Sequence, residues 1–135
     1  KITIDNVSSV HDAGTILNQT LLDGQVHGAL AQALGGAMFE EMTYSDSGQP
    51  TAGTFMDYLC PTSAEACFPL TSDHLETPSP LTRLGAKGCG EGSSMSLPVA
   101  IANAVADALD VGTGSLPRLP LTPHRIREFL RGTAD

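Results

Sequence analysis

The sequence predicts an α+β fold, with a small mixed or antiparallel sheet carrying two main helices and a short C-terminal helix. Three observations predict it. Apolar and polar residues alternate at the start, where Ile2 and Ile4 interleave with Thr3 and Asp5. Apolar residues recur at helical spacing over 22–42 and again over about 94–109. Connections rich in Gly, Pro and Ser punctuate the rest. The 135 residues suffice for one compact unit with a modest core, so 1–135 reads as a single domain.

Taken in order, 1–10 reads as a strand and His11-Asp12-Ala13-Gly14 as a turn. The first main helix is expected over 22–42, with Val26, Leu30, Ala33, Leu34 and Ala37 on one apolar face. A hairpin is expected over 43–55, turning at Ser45-Asp46-Ser47-Gly48. An extended stretch through Asp57 to Pro61 follows, where Asp57 and Tyr58 could form a buried polar pair, and then a strand over 68–75. Thr77-Pro78-Ser79-Pro80 is stiff, non-helical punctuation. The second main helix takes Ser94 or Ser96 as its N-cap and Pro98 in its first turn. It presents Leu97, Ile101, Val105 and Ala108 on one face, and Gly112 can stop it. Thr122-Pro123 opens the short last helix, with Ile126, Phe129 and Leu130 facing inward.

Composition narrows the function. Fifteen Asp and Glu against seven Lys and Arg give a net charge of −8, which disfavours a nucleic-acid partner. No apolar run is long enough to cross a bilayer, and no signal peptide is visible. The chain opens on Lys1 and not Met, which suits a fragment, a processed product or a trimmed form alike, so the missing signal says little about a parent protein. The expected compartment is the cytoplasm, with the periplasm as the alternative. Three cysteines and no CxxC pair make neither a disulfide framework nor a zinc or iron–sulfur site. Cys60 and Cys67 are expected as small buried or half-buried hydrophobes. The four histidines stand at no metal-ligand spacing, and no protein metal ligand is assigned.

Two features can carry chemistry. On the first helix, Gly24, Gly28, Ala31 and Gly35 make a face almost without side chains, bordered by Gln25 and Gln32. Each helical glycine costs about 1 kcal/mol relative to Ala, so something is expected to approach that backbone closely. It is either another packed element or a ligand, with Gly24-Gln25 at the helix start offering free N–H groups. The second feature is the loop Gly85-Ala86-Lys87-Gly88-Cys89-Gly90-Glu91-Gly92. Bare backbone there lets a bulky ligand come close to one carboxylate. Glu91 is either a general base or a charge placed at a helix N-terminus, where negative charge is favoured. The loop has neither the P-loop order, since Lys87 precedes Gly88, nor the dinucleotide gap pattern. Cys89 has no sequence-near His to activate it as a nucleophile.

These segments resemble the molybdopterin-binding large subunit of the xanthine dehydrogenase, aldehyde oxidase and carbon monoxide dehydrogenase family. The resemblance rests on the run Gly24 to Gly35, on Gly53 to Tyr58, on His74 to Pro80, on Gly85 to Gly92 and on the helix Ala100 to Leu109. The blocks come in the family's order, from about Ile4 to Ile126, and resemble its C-terminal part. The resemblance implies an oxidoreductase that hydroxylates an aldehyde, N-heterocycle or carbon monoxide with oxygen from water. In the family a glutamate takes a proton from a molybdenum-bound hydroxide, and Glu91 falls at that position. Gln25 falls on the glutamine that bonds the cofactor near the metal. Gly24, Lys87, Gly88 and Gly90 lie in segments that border the cofactor. The implied cofactor is molybdenum-molybdopterin, with the cytosine dinucleotide form as one option. The implied partners are the remainder of the large subunit, iron–sulfur and flavin subunits or domains, and a small-molecule substrate.

Two departures stand out. The family often has Asn-Pro where this chain has Asn18-Gln19, which is expected to loosen a turn. Cys89 replaces a more common small apolar residue such as Val and adds an oxidisable sulfur beside the base. Members of the family are several times longer. The chain alone is therefore expected to be inactive, and apolar surface left by missing neighbours favours self-association. Two rival readings are a non-catalytic binding or assembly module with the same fold, and an unrelated α+β domain using the same loop for another ligand.

Overall fold

A computed structural model of the chain describes residues 2–132. The element order is β1 (Val7–Asp12), α1 (Gln19–Met38), β2 (Leu70–Leu75), α2 (Gly92–Ala108) and α3 (Pro123–Arg131), with a single 3-10 turn at Thr113–Ser115 before α3. Two main helices and a short last helix beside a small sheet make the α+β class expected from the sequence.

The sheet has two strands, and they run parallel, from Val7 opposite Leu70 to Asp12 opposite Leu75. The sequence led to a mixed or antiparallel sheet. The difference follows from connectivity: everything between β1 and β2, α1 included, forms a crossover, and a crossover is what a parallel pair needs. β1 also begins later than expected, because β2 is only six residues long and pairs with nothing before Val7. Lys1, the first residue of the expected strand, lies outside the described residues.

α1 starts at Gln19 and not at Leu22. Asn18 is its N-cap, and the Asn18 side chain accepts from the Leu21 N–H at 3.0 Å. Gln19 therefore occupies the first helical position, where a proline would be favoured, and its amide bonds Asp23 at 2.9 Å. The departure from Asn-Pro thus falls on a helix start and not in a turn. α1 ends at Met38, earlier than expected, where the Gly35 carbonyl accepts from both the Phe39 and the Glu40 N–H at 2.8 Å.

The expected hairpin over 43–55 shrinks to one antiparallel bridge, Tyr44 to Pro50, around a turn in which Gly48 has a positive φ. The following stretch is not extended. Thr54 folds it into a turn by accepting N–H bonds from Asp57 and Tyr58 and by bonding the Asp57 carboxylate. Asp57 and Tyr58 consequently do not pair. The Tyr58 hydroxyl donates instead to Glu40 at 2.8 Å, which raises the Tyr58 pKa.

α2 starts at Gly92, with Glu91 in the N-cap position. Ser94 and Ser96 are not its caps; their hydroxyls donate back to the Glu91 and Ser93 carbonyls. Pro98 then sits past the first turn and costs the helix one hydrogen bond. The helix is stopped by Asp110, which takes the left-handed conformation at φ 53 that was expected of Gly112. α3 opens as expected, with the Thr122 hydroxyl accepting from the Arg125 N–H and Pro123 in the first turn.

The core lies between α1 and α2. Val26, Leu30, Ala33, Leu34 and Ala37 of α1 are all buried, against Leu97, Ile101 and Val105 of α2 and Leu121. Each buried Val, Leu or Ile contributes about 1.5–3 kcal/mol. Ala108 and Leu130 were expected inside and are exposed; Ile126 is the buried residue of α3.

Candidate active site

The glycine-rich loop docks on the residues that leave β1. The Thr15 N–H donates to the Gly85 carbonyl at 3.0 Å, the Lys87 N–H to the Ala13 carbonyl at 2.9 Å, and Gly14 bridges Ala86 in antiparallel sense. Glycine is required on both sides of this contact. Gly14 and Gly85 have φ of 62 and 73, and a β-carbon on Gly85 would stand 2.6 Å from the Thr15 hydroxyl.

A charged network holds the loop from beneath. Lys87 Nζ lies 2.7 Å from Asp12 Oδ2 and 2.5 Å from Thr77 Oγ1, and Thr77 Oγ1 also bonds Asp12. Asp12 further accepts from the Gly14 N–H at 2.9 Å and the Thr77 N–H at 3.1 Å. Lys87 first, then Thr77, hold the Asp12 carboxyl well below the usual carboxylate range. The Lys87 charge is therefore already balanced by Asp12, and Lys87 is a fastening of the loop. Sequence reading missed Asp12 and Thr77 in this role because they look like ordinary turn residues.

The docked loop brings Gly90 against α1. A β-carbon on Gly90 would stand 3.3 Å from Gln25 Oε1. Two of the segments singled out in the sequence thus meet, and Glu91 follows at once at the start of α2. Gln25 and Glu91 are both exposed, and neither side chain has a hydrogen-bond or ionic partner among the described residues. Around them Gly24, Gly28 and Gly88 have no heavy atom within 4 Å of where a β-carbon would stand.

The bare face of α1 therefore divides in two. Gly35 is structural, since a β-carbon there would collide with the Glu40 carboxylate and Pro61. Gly24 and Gly28 face nothing within 4 Å among the described residues. The free N–H groups expected of Gly24-Gln25 are absent, because α1 starts earlier and both residues are interior. The helix start at the site is that of α2, where no side chain caps.

Other candidates fall away from this place. Cys60 and Cys67 are exposed and not buried as expected; Cys89 is half-buried and packs on the core. Among the described residues no group of three His, Cys, Asp or Glu is placed to hold a metal ion, and no helix is long and apolar enough to cross a membrane. The site can offer an amide, a free carboxylate and open backbone. That fits one wall against a flat polar group such as a pterin, which needs close backbone and hydrogen-bonding amides.

A family model described as molybdopterin cofactor-binding domain matches residues 1–67. The chain is 37% identical over 134 residues to the nicotine 6-hydroxylase large subunit of Paenarthrobacter nicotinovorans, covering 99% of this chain and 16% of that protein. It is 39% identical to the xanthine dehydrogenase molybdenum-binding subunit of Escherichia coli O157:H7, covering 95% of this chain and 17% of the relative. Its fold superposes on quinoline 2-oxidoreductase from Pseudomonas putida 86 with a TM-score of 0.83 and 40% identity, over 94% of this chain and 16% of that one. The chain thus spans about one sixth of the length of these relatives.

Proposed function

Because the chain belongs to the molybdopterin-binding large-subunit family of xanthine dehydrogenase-type oxidoreductases, we propose that it builds one wall of a cofactor pocket in a larger molybdenum hydroxylase. In that enzyme Glu91 is the proton acceptor. The observation that carries this reading is the meeting of Gln25 with the Gly90-Glu91 turn, with both polar side chains unpartnered beside open backbone.

When bound, molybdenum-molybdopterin, in its simple or cytosine dinucleotide form, supplies a Lewis-acidic metal and accepts the electrons of the oxidation. Gln25 orients it through a carboxamide that can donate from Nε2 and accept at Oε1. Gly24, Gly88 and Gly90 let its flat rings approach the backbone. Glu91 receives the proton at its carboxylate, which no side chain among the described residues occupies. Asp12, Thr77 and Lys87 keep the loop at a fixed height, so that Glu91 meets the reacting group without reorganisation. The substrate is an aldehyde, an N-heterocycle or carbon monoxide. The remainder of the large subunit encloses the cofactor, and iron–sulfur and flavin subunits or domains carry the electrons away. The compartment proposed for the assembly is the cytoplasm, with the periplasm as the alternative.

The test uses the full-length parent with its native partners. Captured from its source, it should carry about one molybdenum per chain. Glu91→Gln should abolish turnover, by about 1000-fold or more, with molybdenum content unchanged. Undiminished turnover, or a parent without molybdenum in cells that make the cofactor, rejects the reading.

A further inference from the structure

Two histidines outside the proton step stand where they can set its geometry. His11 on β1 and His74 on β2 are register partners in the parallel pair, so their side chains leave the same face of the sheet. Each reaches one of the two helices that carry the site. His74 Nε2 lies 2.8 Å from Asp23 Oδ1 on α1, two residues before Gln25. The His11 ring lies over Gly92, the first residue of α2 and the one after Glu91.

The His11 contact explains a glycine that nothing else explains. Gly92 has no positive φ, so its backbone conformation does not require glycine. A β-carbon there would collide with the Cε1 side of the His11 ring, 2.5 Å from Nδ1 and closer still to Cε1. All three of its nearest atoms would be ring atoms of His11. A side chain at position 92 and an imidazole at position 11 therefore exclude one another. His11 Nε2 is buried without a hydrogen-bond partner, so the ring is not drawn to this place by a polar contact of that nitrogen.

We propose that His11 is a positioning residue for Glu91. Its ring, seated on Gly92, sets the height at which α2 begins and hence the separation of Glu91 from Gln25. The proposal rests on Glu91 being the base of the assembled enzyme. His74, bonded to Asp23, performs the corresponding task for α1, so the two paired strands hold the two halves of the site in register.

The test compares Gly92→Ala, His11→Ala and the double variant in the full-length parent loaded with cofactor, with Glu91→Gln as reference. Gly92→Ala should force the ring away and move Glu91 by about 1 Å, visible in a crystal structure, and should lower kcat about 100-fold. KM and molybdenum content should stay unchanged. The double variant should recover kcat about tenfold or more over Gly92→Ala, because the new methyl enters the space the ring has left. Unchanged kcat in Gly92→Ala, or a double variant no better than Gly92→Ala, overturns the proposal. So does a kcat loss that only follows lost molybdenum. If Gly92→Ala does not fold, His11→Phe should keep kcat while His11→Ala loses about tenfold; equal values overturn the proposal. An active Glu91→Gln removes the base and this proposal together. An inactive Glu91→Gln beside an unaffected Gly92→Ala removes the positioning role alone.

Discussion

Lys87 Nζ lies 2.7 Å from Asp12 Oδ2, and this pair fastens the glycine-rich loop to the end of β1. The pairing gives the loop a pH dependence of known sign. The folded Asp12 pKa lies below the ordinary value of 3.8, chiefly because of Lys87 and then Thr77. Its stabilisation is therefore complete above that ordinary value and is lost as pH falls through the folded one. Asp12→Asn should quicken hydrogen exchange at the Thr15 and Lys87 amides at neutral pH, about tenfold or more. The gap between the variant and the unaltered protein should narrow progressively below pH 3.8. A gap that widens on acidification would contradict the assignment.

The glycines of the loop should not be equivalent. A β-carbon on Gly90 meets Gln25 Oε1 at 3.3 Å, whereas one on Gly88 meets nothing within 4 Å. In the parent enzyme, Gly90→Val should push the Gln25 amide aside and reduce molybdenum per chain by roughly half or more, since a misplaced polar contact loses about 1–3 kcal/mol. Gly88→Ala leaves Gln25 in place and should lower molybdenum per chain only by crowding the cofactor, and by less than Gly90→Val. A larger effect at Gly88 would mean that another part of the pocket presses on it. Molybdenum analysis of the purified complexes decides between these outcomes.

Helix caps offer a test that leaves the chemistry aside. Asn18→Ala removes the acceptor of the Leu21 N–H, and Thr122→Ala removes the acceptor of the Arg125 N–H. Each should cost about 1 kcal/mol, read as a lower denaturation midpoint with an unchanged slope. Gln19→Pro should be neutral or stabilising, because the residue fills the first helical position; its amide bond to Asp23 is what it would lose.

The two arginines that reach Glu41 should differ sharply. Arg125 is partly buried, bonds Glu41 and donates to the Pro120 carbonyl at 3.0 Å. Arg118 is 81% exposed and 3.5 Å from the same carboxylate. Arg125→Ala should cost about 1.5–3 kcal/mol and speed amide exchange over 123–131. Arg118→Ala should change stability by less than about 1 kcal/mol, and less again at high salt. Comparable losses for the two would show that the contact is electrostatic at long range and not a bonded anchor.

By itself the sequence determined the helices and named the candidates for the chemistry. Thr122 and the spacing of Val26, Leu30 and Leu34 act over one or two turns, so helix identity and the buried face of α1 were legible without a partner strand, whereas the Asn18 cap was not read. Helix starts were read less well. Ser94 and Ser96 look like caps in one dimension, yet Glu91 and Gly92 begin α2 because the loop docks on β1 just before them. The likeness of 24–35 and 85–92 to one family singled out Gln25 and Glu91 as candidates, and it could not say that Gly90 and Gln25 lie side by side. Contacts between distant parts of the chain were decided only in three dimensions. They include the parallel sense of β1 and β2, the Asp12–Thr77–Lys87 fastening, and the seating of His11 on Gly92. The physical reason is common to all of them. Each contact joins segments brought together only by the path of the chain between them, the crossover for the strands and the docked loop for the side chains, which no local pattern encodes.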